Sequence, residues 1–217
     1  MQLYTAYLSS HAFAVRIALR LKQLPHELIP VPLAADGALC QTPEYLRLNP
    51  QGLVPTLVDG RRAFTALLPI LEYLEEAYPE PVLLPSQARD RARVRNLMSW
   101  SVTEVQPLLA HRTLQFLQAQ GMATADQERC VQAWLQLSLT QLEHMLHEHP
   151  TAGRFCYGDT PTLADACLIP LLHHAVVDYQ RNLQGWPTLA RIYRAAMLME
   201  PFALADPSRQ PDAPARP

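Results

Sequence analysis

Apolar and polar positions change their rhythm along the chain, and that change divides it into two parts. Within residues 1–80 the rhythm is short and keeps switching. "QLYTAYL" has the character of a strand, and "AFAVRIALRLKQL" sets Val15, Ile17, Ala18 and Leu21 near the 3.6-residue period of a helix. "HELIPVPL" is strand-like again, and "TPEYLRLN" predicts a short helix with Pro43 in its first turn. "LVPTLVDGRRAFTA" predicts two short strands joined at the Asp59-Gly60 turn, and "LLPILEYLEEAY" predicts a helix. The order β-α-β-α-β-β-α predicts a four-stranded mixed sheet covered by helices, an α/β domain over 1–80.

Pro79, Pro81 and Pro85 mark a break, and residues 81–87 are expected to be a linker. Beyond it the pattern is long and helical from 88 to 120 and from 126 to 149, with two or three more helices between 162 and 205. An all-helical domain is therefore expected over 88–206. "TPTLAD" places Thr162 three residues before Asp165, a capping-box spacing that starts a central buried helix. Pro207, Pro211, Pro214 and Pro217 predict a mobile tail over 207–217.

Composition narrows the function. Apolar residues make up 49% of the chain and charged ones 18%, enough for a buried core. The net charge of -2 and the lack of a dense basic stretch argue against nucleic acid as a partner. There is no secretory leader pattern and no apolar run long enough for a membrane helix, so a cytoplasmic protein is expected. Cys40, Cys130, Cys156 and Cys167 lack metal-site spacing and are expected to be free, mostly buried thiols. His144, His147 and His149 do not share one helical face, so no metal is expected there either.

Certain words in this order resemble the glutathione transferases, and among them the zeta class with its maleylacetoacetate and maleylpyruvate isomerases. They are "SSHAFAVRIALRLK", "YLRLNPQGLVPTLVDG", "ILEYLEEAYPEPVLLP", "RARVR", "GRFCYGDTPTLADACLIP" and "RQPDA", spread over nearly the whole chain. The resemblance implies a thioredoxin-like N-terminal domain, an all-helical C-terminal domain and a homodimer. It assigns Val54-Pro55 to a cis-proline step that meets the cysteinyl backbone of glutathione, with Gln51 nearby. It assigns Ser9 and Ser10 to the serine pair that opens the first helix, where a hydroxyl and free amides lower the pKa of a thiol. In such isomerases the thiolate adds to a conjugated double bond, the new single bond rotates, and the thiol leaves.

Four places depart from that pattern. Ala66 and Leu67 stand where the family has a Gln-Ser pair that grasps the charged end of glutathione, and neither side chain donates a hydrogen bond. In "QPLLAHRTL", Gln106 replaces a histidine, Leu109 and Ala110 replace amides, and Arg112 roughly keeps a cation beside His111. Leu8 and Val176 replace two arginines of the maleylpyruvate branch, the second beside His173 and His174. His11 follows the serine pair at a position that is small or cysteine in the family, and could serve as an acid or base.

These departures lead to an enzyme that isomerises, or carries out a related addition, elimination or proton transfer on, a fairly apolar unsaturated small molecule. Its catalytic candidates are Ser9, Ser10 and His11. Val54, Pro55, Gln51 and Gln106 are the cofactor-binding candidates, and Leu8, His111, Arg112, His173 and Val176 the substrate-binding ones. Glutathione dependence is expected to be weak or absent. Two alternatives stay open: an ordinary glutathione-dependent maleylacetoacetate-type isomerase, and a non-catalytic dimeric module on the same fold.

Overall fold

The computed structural model describes residues 1–32, 40, 42–147, 149 and 151–214. The chain forms two compact units, Met1–Leu83 with Met199–Pro217, and Leu84–Leu198.

The first unit holds the predicted sheet. Its elements are β1 (Gln2–Thr5), α1 (Ser10–Leu21), β2 (Glu27–Pro30), α2 (Pro43–Leu48), β3 (Thr56–Asp59), β4 (Arg62–Thr65) and α3 (Leu67–Ala77). The strand order is β2-β1-β3-β4. β1 and β2 run parallel through the α1 crossover, and β3 and β4 add antiparallel. α1 is buried on all sides from Ala12 to Leu19, and its Phe13, Val15, Ile17 and Leu19 are core residues. α3 places Leu67, Ile70, Leu71 and Leu74 in the core at helical spacing. Leu67 is 2% exposed, so the apolar opening of this helix is a packing feature.

The C-terminal stretch belongs to this unit. α10 (Glu200–Ala205) packs on α1, and a short 3-10 turn, Pro207–Arg209, follows it. The proline count predicts a mobile tail from 207, but Gln210 is buried and the Tyr7 amide donates to Asp212 Oδ2 at 2.8 Å. Prolines remove amide donors without preventing docking, and here side-chain groups supply the bonds. The helical domain likewise ends at Leu198, short of the expected 206. Residues 215–217 of the expected tail lie outside the described residues.

The second unit is helical: α4 (Ala88–Ser99), a π-helical segment Trp100–Val105, α5 (Gln106–Leu109), α6 (His111–Ala119), α7 (Thr124–His147), α8 (Leu163–Val177) and α9 (Pro187–Met197). The pattern over 88–120 reads as one helix, but the chain breaks it twice. Pro107 has no amide to give, and just before it the Gln106 amide donates to Ser101 O, a five-residue π step. Ala110 then turns extended, with ψ 127°, between α5 and α6. At the start of α8, Asp165 accepts from the Thr162 amide at 2.8 Å and from the Cys156 amide at 2.9 Å, the expected capping-box carboxylate. Burial nevertheless raises the Asp165 pKa above the ordinary carboxylate value.

Candidate functional site

Sheet register brings three chain segments to one end of the first unit. Tyr4 pairs with Thr56, and Thr56 pairs with Thr65. β1 and β4 leave the sheet beyond this row, and β3 enters there. The turn carrying Ser9, the Val54-Pro55 step and the start of α3 at Ala66 therefore emerge together. Residues far apart in sequence become neighbours through strand direction alone.

The first segment is a turn from Ala6 to Ser9, closed by the Ser9 amide donating to Ala6 O at 3.1 Å. Ser9 is the N-cap of α1, and its Oγ accepts from the Ala12 amide at 3.1 Å. That bond uses a lone pair, so the hydroxyl hydrogen remains available to donate. The capping role and a role as donor to a ligand are thus compatible. Ser10 and His11 are the first two residues of α1 and are half-buried. Leu8, in the same turn, is 60% exposed.

The Val54-Pro55 peptide bond is cis. Val54 lies outside the ladder, whose first paired residue on β3 is Thr56. The loop before it is held by the Asn49 side chain, which donates to Leu53 O at 2.7 Å and accepts from the Gln51 amide at 3.1 Å. Gln51 itself is exposed.

Ala66, the third element, sits at φ 66° and ψ 145°, a backbone conformation that non-glycine residues rarely adopt. It is the N-cap residue of α3, and among the described residues no side chain caps that helix. The first-turn amides of Leu67 and Leu68 are thus presented at a helix N-terminus, where an anion is stabilised. Pro69 has no amide to add. Side-chain donors are missing here, but the backbone half of an anion cradle is present.

Residues of the second unit form a separate set. Gln106 is 6% exposed, and among the described residues neither its Oε1 nor its Nε2 has a hydrogen-bond partner. The buried Ser101 Oγ likewise has no partner among the described residues, and Ser101 and Gln106 are joined by the π-helical backbone bond. His111 and Arg112 open α6 and are exposed. His173 Nδ1 lies 3.1 Å from Tyr193 Oη, and Val176 is half-buried on the same helix. Among the described residues no group of three or more His, Cys, Asp or Glu is arranged to hold a metal ion.

Sequence reasoning missed Arg16 and Asp212. Arg16 is fully buried in α1 and binds Thr5 Oγ1, Ala6 O and Ala205 O. Its signal was a lone cation inside the apolar run "AFAVRIAL". Burial lowers its pKa to about 9, against the pull of Asp212 and then Asp206, so it stays charged at neutral pH.

A thioredoxin-like sheet with a serine-capped first helix, a cis-proline step and a helical second unit defines the glutathione transferase fold. Residues 3–82 match the family model for the glutathione S-transferase N-terminal domain. The chain is 37% identical over 216 residues to the maleylacetoacetate isomerase of Pseudomonas aeruginosa, covering 99% of this chain and 100% of that one. It superposes with a TM-score of 0.92 at 34% identity on the holo structure of a bacterial zeta-class maleylpyruvate isomerase, over 99% of this chain and 100% of that one. A maleylacetoacetate isomerase from Methylobacterium extorquens AM1, with bound malonate and glutathione, gives a TM-score of 0.92 at 35% identity over the same shares. The chain belongs to the zeta class of the glutathione transferase family.

Proposed function

We propose that this protein is a glutathione-transferase-like isomerase that holds glutathione weakly, mainly through backbone groups, and acts on a fairly apolar unsaturated substrate. The isomerase class is supported by relatives of that name aligned over nearly the whole chain. The observation that carries the finer reading is the convergence of Ser9 with the uncapped, left-handed start of α3. Both groups fit glutathione: the amides of Leu67 and Leu68 suit its carboxylate, and the Ser9 hydroxyl suits its sulfur. When bound, that molecule supplies a thiol able to add reversibly to a conjugated double bond. The chain's own part is to stabilise the thiolate by hydrogen bonding from Ser9 and from the start of α1. Leu8, exposed in the turn that carries Ser9, offers an apolar surface in place of a cation.

Loss of two side-chain contacts to charged groups, at about 1.5 to 3 kcal/mol each, weakens binding by roughly two orders of magnitude or more. Titration calorimetry is therefore expected to give a millimolar dissociation constant for glutathione. Turnover should be faster on a neutral cis-enone than on a small maleyl dicarboxylate. Micromolar binding with a preference for the dicarboxylate would overturn this reading in favour of the ordinary maleylacetoacetate-type enzyme. That rival is favoured by the structural neighbour that carries malonate and glutathione together. Ser9→Asp keeps a capping acceptor but cannot donate to sulfur, so it should retain stability and lose turnover. Unchanged turnover would remove Ser9 from the chemistry, and a wild-type protein with no turnover on either substrate would argue for the non-catalytic module.

A further inference from the structure

The motif "RQPDA" takes no part in the chemistry proposed above, and its placement gives it a task. Asp212 Oδ2 accepts from the Tyr7 amide at 2.8 Å, and Tyr7 is the first corner of the turn that ends at Ser9. On the other side of that turn, Ala6 O accepts from the Ser9 amide and from Arg16 Nη1, the latter at 3.4 Å. The same Nη1 reaches Thr5 Oγ1 at 2.9 Å, while Arg16 Nε donates to Ala205 O at 3.0 Å. Residues 199–214 thus hold the serine turn twice, directly through Asp212 and indirectly through the buried Arg16. Asp212 also attracts the Arg16 guanidinium, so the two anchors support each other.

A turn is a flexible place for a hydroxyl that must meet a sulfur atom within a few tenths of an ångström. Backbone bonds at both ends of the turn fix where Ser9 Oγ lies, and the cap to Ala12 fixes how it faces. We propose that the C-terminal arm is a positioning device for Ser9, with Asp212 and Arg16 as positioning residues. Neither needs to touch substrate or cofactor. The proposal rests on the reading of Ser9 given above, but its structural half stands without it.

The test compares Asp212→Ala, Asp212→Asn and Gln210→Ala in the full chain. Gln210 belongs to the same arm, and among the described residues its side chain bonds within it, to Leu204 O at 3.2 Å and Asp206 O at 2.7 Å. Amide exchange over residues 5–12 is expected to quicken in Asp212→Ala. It should stay near wild type in Gln210→Ala and in Asp212→Asn, which keeps an acceptor for Tyr7. With glutathione and a cis-enone, kcat of Asp212→Ala should fall about tenfold or more while KM for glutathione changes less than about twofold. Wild-type exchange and kcat in Asp212→Ala, or equal losses in Gln210→Ala, would overturn the proposal. If the wild-type protein shows no glutathione-dependent turnover, the functional reading fails, and the exchange pattern alone decides whether the arm orders the turn.

Discussion

Lys22 Nζ lies 2.7 Å from Glu75 Oε2, with the two side chains 0% and 6% exposed. The pair also holds the proline-rich segment: Lys22 donates to Tyr78 O at 2.7 Å and Pro81 O at 3.0 Å, and Glu75 accepts from the Leu83 amide at 3.1 Å. A stretch expected as a linker is pinned at its start by a buried ion pair joining α1 and α3. Removing either partner leaves a buried charge uncompensated, at a cost of about 3 to 5 kcal/mol. Lys22→Met and Glu75→Gln should each show that loss in urea unfolding. The double variant Lys22→Met/Glu75→Gln should lose less than the sum of the two, the mark of direct coupling.

Polar side chains placed at the start of α3 test the weak-binding reading proposed above. Ala66→Gln with Leu67→Ser should tighten glutathione binding by at least about tenfold, since two donors to charged groups return. The same change removes a core side chain that is 2% exposed, so stability should fall by about 2 kcal/mol or more. Calorimetry and chemical denaturation on one preparation read both effects, and unchanged affinity would sink the weak-cradle explanation.

Asp59 gives a pH signature. Tyr78 and then Tyr73 donate to its Oδ2, and these bonds hold its pKa below the ordinary carboxylate value. The unfolded chain therefore takes up the proton more readily than the folded one. The stabilisation is whole above about pH 4 and is lost as pH falls through the lowered folded value. Tyr78→Phe should reduce the melting temperature at pH 7 and narrow its gap to wild type at the acid end. Because Asp59 is partly exposed, the effect should be modest and should shrink in high salt.

Thiol chemistry separates the four cysteines. Cys40, Cys156 and Cys167 are buried, and Cys130 is exposed on α7. Burial raises the thiols of Cys156 and Cys167 above their ordinary values, keeping both protonated and unreactive. A native-state titration with an aromatic disulfide reagent should find one fast thiol, and Cys130→Ser should abolish it. A second fast thiol would mean that the core opens far more readily than its packing implies.

Much of the fold was legible in order. Strand and helix rhythms within residues 1–80 give the order of the elements, most plainly in α3, whose buried Leu67, Ile70, Leu71 and Leu74 keep helical spacing. The capping box at Thr162 and Asp165 was equally local. The break at Trp100–Val105 was less visible, since a π step changes backbone bonding without disturbing the apolar pattern. Leu67 shows the same limit from the other side: read alone it is a missing donor, and in place it is a core residue.

By itself the sequence determined the family, the order of the elements and the serine at the head of α1, since these depend on local period, capping chemistry and recognisable words. Only the tertiary structure decided that the turns after β1 and β4 and before β3 meet at one end of the sheet. It alone docked the proline-rich C-terminal stretch on the Ser9 turn through Asp212, a bond across 205 residues. Long-range pairing of this kind depends on strand direction and on which buried polar groups need partners, and neither is written in any short window of the chain.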